Sequence, residues 1–338
     1  MFSMIKNSHA LKLAINVVAL LALVFSIGIS VSYGAVDIKL STVWQAIFHF
    51  ESKLTSHQVI QELRLPRAIA AALVGSFLAV SGAIMQGLTR NPLASPSIMG
   101  VTDGAAFTLV MMLAFFPGAG NLGYTMAAFA GAGIAVVLVF MVGSFSTSGL
   151  TPVKLALAGV AIGTMLSSLS SVISLHFQLE KEMGFWIAGG LAGVNWTSIH
   201  ILLLSGAAGL FLAFFIARSI TLLSLGEDVS TGLGQNNVVT KVIGIIAVLV
   251  LTGSAVSIAG TIAFVGLIVP HITRFIIGTD YRWIIPTSAI FGALLLVISD
   301  VTARLVNSPF ETPVGAITSL IGVPFFLYLA RGSGGSKS

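Results

Sequence analysis

The sequence predicts an all-α membrane protein that crosses the bilayer about ten times. Three observations lead there. First, the chain holds only 16 Lys and Arg and 11 Asp and Glu in 338 residues, with 56% hydrophobic side chains. A soluble domain carries about a quarter charged residues, so too few are present here to cover a water-facing surface. Second, the charges fall between long charge-free stretches such as Leu13–Val36, Ala68–Thr89 and Trp283–Ser299. Each is near the roughly 20 apolar residues that a helix needs to cross a bilayer core of about 30 Å. Third, these stretches are continuously apolar, without the two-residue alternation of a membrane barrel. Lipid offers no backbone hydrogen-bond partners, so the spans must be helical.

Read in order, the spans fall near 12–33, 65–88, 97–115, 122–143, 152–176, 197–217, 239–256, 261–278, 284–305 and 313–331. The first follows Lys6 and Lys12 and is longer than a signal-peptide core, so it is read as an uncleaved span. An external loop, 34–63, separates it from the second, which opens on Arg64-Leu-Pro-Arg67 and so carries proline in its first turn, where it is well tolerated. The third and fourth divide at the turn cluster Pro117-Gly-Ala-Gly-Asn121. The fifth and sixth flank Glu180 to Glu182. The seventh and eighth share a charge-free run that breaks between Gly253-Ser254 and Gly260, and the last two are separated by Glu311 and Pro313. The whole chain reads as a single transmembrane domain.

Orientation follows from the basic residues. An N-terminus in the cytoplasm puts ten Lys and Arg inside and six outside, which favours both termini inside a plasma membrane. The net charge of +5 is therefore a membrane signature rather than a nucleic-acid one. Cysteine is absent, which excludes disulfides, thiolate metal sites and a cysteine nucleophile. Glycine, 36 residues, includes small-xxx-small pairs such as Gly159 and Gly163 that let helices approach closely in lipid.

The spans contain no arginine row and no acid–histidine relay, so an ion-driven carrier is disfavoured. An intramembrane enzyme is disfavoured too, because His271 has no acid or serine partner at helical spacing. No P-loop is present, so energy for active transport would come from another polypeptide. The cytoplasmic segment 221–236 is a candidate place for that polypeptide to grip. Ser224 is a candidate cap for a short helix, Glu227 and Asp228 would sit in its first turn, and Gly232 or Gly234 would end it. An ordinary interfacial loop is the alternative. Outside, Arg64, Arg67 and Arg304 are candidates either for lipid anchoring or for pairing with carboxylates of a docking protein. Ser167, Ser168, Ser170 and Ser171 cluster on the fifth span, where hydrogen bonding between helices is the simpler account and ligand contact the other.

Several motifs then bring a resemblance into view. They are Arg64-Leu-Pro-Arg67; Ser81-Gly-Ala-Ile-Met-Gln-Gly87; Asn91-Pro-Leu-Ala-Ser-Pro96; Lys154-Leu-Ala-Leu-Ala-Gly159; Leu225-Gly-Glu227; Phe264-Val-Gly-Leu-Ile-Val-Pro-His271; and Gly322-Val-Pro-Phe-Phe326. In order and over nearly the whole chain, this set resembles the permeases of the iron-siderophore, haem and cobalamin ABC importers, the type II importers. The resemblance implies ten helices per subunit and a pathway between two permease subunits, identical or similar. It implies two ATPase subunits below, holding ATP and Mg, and an extracytoplasmic binding protein above. No cofactor or metal is expected on this chain itself. By the resemblance, Leu225, Gly226, Glu227, Asp228, Gly232, Leu233 and Gly234 form the ATPase-coupling segment. Arg64, Arg67 and Arg304 receive the binding protein. Asn91, Leu93, Thr151 and Val153 belong to cytoplasmic gates, and the fifth span, with Ser167, Ser168 and Ser171, lines the pathway. A ferric siderophore is the expected cargo, with haem or cobalamin as alternatives.

Overall fold

The computed structural model describes residues 8–34, 37–144, 152–308 and 310–334. Its helices, in chain order, are α1 (His9–Ser32), α2 (Leu40–Phe48), α3 (Thr55–Val59), α4 (Leu65–Thr89), α5 (Val101–Phe115), α6 (Gly120–Ser144), α7 (Pro152–His176) and α8 (Glu180–Ala188). They continue as α9 (Trp196–Ser224), α10 (Glu227–Gly232), α11 (Asn237–Ala259), α12 (Val265–Ile277), α13 (Tyr281–Val306) and α14 (Val314–Gly334). Seven are long and apolar enough to cross a membrane: α1, the run from Thr55 to Thr89, α6, α7, α9, α11 and α13. Three shorter apolar helices, α5, α12 and α14, complete the expected ten. No strand occurs among the described residues.

Helix α4 is the axis of the bundle. It packs against α9, α11, α12 and α13, and most of its side chains are buried. The packing works because glycines remove side chains where backbones cross. A Cβ on Gly82 would land on the Gly266 carbonyl of α12, and one on Gly75 would land on the Gly292 carbonyl of α13. In lipid there is no hydrophobic drive between helices, so such close van der Waals approach is what holds them together. Gly163 of α7 works in the same way, receiving the Asp103 carboxylate of α5 against its bare Cα. Helix α1 lies at the periphery, with Leu13, Val18, Leu21 and Phe25 exposed.

Two boundaries differ from the sequence reading. The second spanning helix does not begin near residue 65. Helix α3 runs on through a π-helical turn, Ile60–Arg64, into α4, so the helical chain is continuous from Thr55 to Thr89. Proline lacks an N–H and strains a regular helix; the wider π turn just before it, where Leu65 N–H donates to the Ile60 carbonyl, absorbs the mismatch. Further on, Gly253 and Ser254 do not break the chain. They stay helical in α11, Gly253 against the Phe129 ring, and the break comes at Gly260–Phe264. Turn-forming residues in water are often packing residues in lipid.

That irregular stretch has positive φ at Gly260 and at Phe264. Its backbone is satisfied by neighbours: Gly190 N–H donates to Ala259 O (2.9 Å) and Thr261 N–H to Trp186 O (3.4 Å). Ile262, Ala263 and Phe264 also line a cavity of about 240 Å³ with Ser95 and Thr252. Non-helical backbone at membrane depth is tolerated where protein or a cavity covers it.

Candidate functional site

The chemistry-bearing residues gather at the two ends of α4. At its N-terminal end lies a charge cluster built on Asp300 of α13, whose side chain is fully buried. Arg67 Nε donates to Asp300 Oδ1 (3.0 Å) and Arg67 Nη1 to Glu311 Oε1 (2.6 Å). Arg304, one turn beyond Asp300 on α13, brings Nη2 to Asp300 Oδ2 (3.1 Å). It also donates from Nη1 to the carbonyls of Ser30 (3.0 Å) and Tyr33 (2.9 Å), and from Nη2 to Ser30 Oγ (2.7 Å). Its Nε reaches the Asp300 carbonyl (3.3 Å). All three guanidinium nitrogens of Arg304 are thus engaged within the chain, pinning the end of α1 onto α13. Arg64 donates to the carbonyls of Val31 (2.9 Å) and Ser32 (2.8 Å) at the same helix end. The structure brings the three sequence-selected arginines together and adds Asp300 as the acid of Arg67 and Arg304, with Glu311 as a second acid of Arg67. A buried carboxylate shared by two arginines fits the rule that interior charges are paired and hydrogen-bonded.

At the opposite end lies α10. Ser224 does not cap it: the Ser224 hydroxyl donates to the Thr221 carbonyl (2.7 Å), and Gly226 occupies the N-cap position. Gly226 has φ +132°, a conformation open to glycine and strained for other residues. Glu227 and Asp228 open the helix, it ends at Gly232, and Gly234 follows with φ +79°. Glu227 is tied down by Lys241 of α11 (2.9 Å) and lies 3.8 Å from Arg90 at the end of α4. Asn237 fastens the segment further, donating to the Glu227 carbonyl (3.2 Å) and to Thr231 Oγ1 (3.0 Å) while accepting from Ser230 (2.8 Å). The segment is therefore mounted on the bundle rather than hanging from it. Nearby, Asp280 caps α13, and the Arg282 side chain hydrogen-bonded to it holds its carboxyl below the usual range.

Beside the exposed Asp228 and Thr231, α10 and its flanks also expose an apolar ridge. Leu225, Val229 and Leu233 are each about half exposed or more, and they recur every four residues. Val229 was missed in the sequence reading, which weighed acids and glycines; its signal was the four-residue repeat. Lys241, Arg90 and Asn237 were missed as supports, because nothing local in sequence links them to Glu227.

Beside this end a cavity of about 930 Å³ opens between α4, α7 and α11, lined by Met85, Asn91, Leu157, Lys241 and Ile245 among others. It is mainly apolar, and Asn91 is one of its few polar edges. The Asn91 side chain accepts from Leu93 N–H (2.9 Å), fixing the turn that follows Arg90. Of the other residues expected at the gates, Thr151 lies outside the described residues, and Val153 sits in the first turn of α7.

The serines of α7 do not bridge helices. Ser168 Oγ donates to Thr164 O (2.8 Å) and Ser171 Oγ to Ser167 O (3.0 Å), each within its own helix, and Ser167, Ser168 and Ser171 are exposed. The expectation of hydrogen bonds between helices is corrected accordingly. What remains is an exposed face on which the Ser168 and Ser171 hydroxyls are satisfied within the helix, beside the exposed Leu169, Val172 and Leu175.

The chain is similar to proteins of one transport class. It is 61% identical over 303 residues to the iron(3+)-hydroxamate import system permease protein FhuB of Bacillus subtilis (strain 168), covering 90% of this chain and 79% of the relative. It is 42% identical over 317 residues to the iron-uptake system permease protein FeuB of the same organism, covering 94% and 95%. Among solved structures, a metal-chelate type ABC transporter in an inward-facing conformation superposes with a TM-score of 0.83 at 28% identity, covering 94% of this chain and 99% of that one. The ten apolar helices, the mounted α10 segment and a match of the family profile over residues 21–332 agree: this chain belongs to the FecCD transport family.

Proposed function

We propose that this chain is the membrane-spanning permease subunit of a binding-protein-dependent ABC importer that moves a ferric siderophore, of the hydroxamate class, into the cytoplasm. The observation that carries the cargo is the 61% identity, over 90% of this chain, to an iron(3+)-hydroxamate permease. In this reading two permease subunits flank the pathway, with the exposed serine face of α7 on its wall. The Glu227 end faces the cytoplasm, and the Leu225–Val229–Leu233 ridge enters a groove on each of two ATPase subunits. Those subunits hold the ATP and Mg; this chain binds no cofactor and performs no hydrolysis. ATP-driven closure of the ATPase pair displaces α10, and the displacement passes to α4 and α11 through Glu227, Arg90, Lys241 and Asn237. Asn91, Leu93, Thr151 and Val153 gate the cytoplasmic side. The Arg67 end faces outward and receives a binding protein through Arg64 and Arg67, with Arg304 holding the platform beneath them.

The test is uptake of ferric hydroxamate and haem labelled with radioactive iron, and of cobalamin labelled with radioactive cobalt, in a strain lacking this chain. Loss of ferric hydroxamate uptake, restored by the intact gene, is expected, with haem and cobalamin uptake unchanged. Unimpaired hydroxamate uptake together with a loss for haem or cobalamin would overturn the cargo assignment.

A further inference from the structure

Two carboxylates share Arg67, and they differ in kind. Asp300 holds Nε from within the protein and is fully buried. Glu311 holds Nη1 from the solvent side; its side chain is 52% exposed, against 12% for Arg67. Glu311 also lies outside any helix, on the connection between α13 and α14, so it can swing away without breaking helical hydrogen bonds. Arg67 is the sole ion-pair partner described for it. The neighbouring Phe310 is exposed, an aromatic of the kind enriched where proteins meet. Arg304, by contrast, has every nitrogen engaged inside the chain and cannot turn outward without releasing α1.

We propose that Glu311 is an exchangeable counter-carboxylate. It covers the outward side of Arg67 while the permease is unoccupied, and it gives way to a carboxylate of the docking protein. The inference rests on the docking role given to Arg67 above. Glu311 is half in solvent, which weakens its side of the pair, and on displacement one carboxylate–guanidinium bond replaces another. Asp300 stays in place throughout, so the guanidinium is never left without a charge partner. The exchange also limits affinity, because Glu311 returns to Arg67 when the partner leaves. That suits a carrier that must release its docked protein on every cycle.

The experiment measures binding of the transporter's own binding protein, loaded with a ferric hydroxamate, to the complete transporter in lipid nanodiscs. Glu311→Gln is expected to tighten binding about two- to fivefold, the order of an ion pair whose acid is half in solvent, with the gain shrinking at high salt. Glu62→Gln, which neutralises an exposed acid that does not touch Arg67, is the control for general repulsion. The gain from Glu311→Gln should vanish when Arg67 is changed to Gln. Arg67→Lys, which leaves a cation beside Asp300, repeats the cycle if Arg67→Gln does not assemble. An unchanged or weakened affinity in Glu311→Gln overturns the exchange, as does a gain matched by Glu62→Gln or one that persists without Arg67. If the Arg67 variants themselves bind normally, the docking role fails and the exchange fails with it.

Discussion

Asp300 and Glu227 are both acids between two cations, yet they invite different experiments because one is buried and the other is not. Replacing Asp300 with Asn leaves Arg67 and Arg304 facing a neutral group in a dry site. Breaking such a pair costs about 3–5 kcal/mol. The expected outcome is a clear fall in thermal midpoint and in yield of folded protein, read by thermal unfolding in detergent. Glu227 is part-exposed, so Glu227→Lys should leave the fold intact. It would set a third cation beside Lys241 and Arg90, however, and release α10 from its mount. Uptake is expected to fall at least tenfold while the complex still hydrolyses ATP, as measured in proteoliposomes; coupled uptake at the normal rate would contradict the assigned role. The arginines and Glu227 were legible as candidates from their local motifs. Their partners were not, because Arg67 and Asp300 lie 233 positions apart and only the fold joins them.

Among the elements, α10 was legible because acids, glycines and length all pointed to a short helix between two spans. Its cap was misread, since Ser224 turns back onto α9 and a glycine takes its place. Aspartate at Leu225, Val229 and Leu233 together should abolish assembly with the ATPase in co-purification, without lowering membrane content, because these side chains face outward. The α4–α12 crossing behaves in the opposite way. Leucine at Gly82 would collide with the Gly266 backbone, which cannot yield as a flexible side chain can. Little or no folded protein is expected on size-exclusion chromatography. The boundary of α11 shows why helix ends were harder to read than helix existence: in lipid, Gly253 and Ser254 serve packing, and only the true break combines positive φ with external hydrogen bonds. The π turn before Pro66 had no sequence signature beyond the proline itself.

For the whole molecule, the count and order of helices could be read from the spacing of so few charges, because a bilayer penalises misplacement strongly. The same asymmetry of Lys and Arg sets the expected orientation. A reporter enzyme fused after Ser338 should be active only in its cytoplasmic form, and an enzyme active only outside would reverse the topology. The space inside the bundle was not legible. The cavity beside Asn91 is enclosed by side chains from four separated segments, and no local pattern announces such a meeting.

The unbroken helix from Thr55 to Thr89 carries a further consequence. One strut bears Arg67 in its N-terminal half and delivers Arg90 to Glu227 at its C-terminal end. In the proposed arrangement, whatever tilts the strut at one end is felt at the other, which would link occupancy of the two faces. If nucleotide on the motor subunits alters the grip on the docked protein by some factor, the docked protein must alter the nucleotide affinity by the same factor. Measuring either one fixes the other.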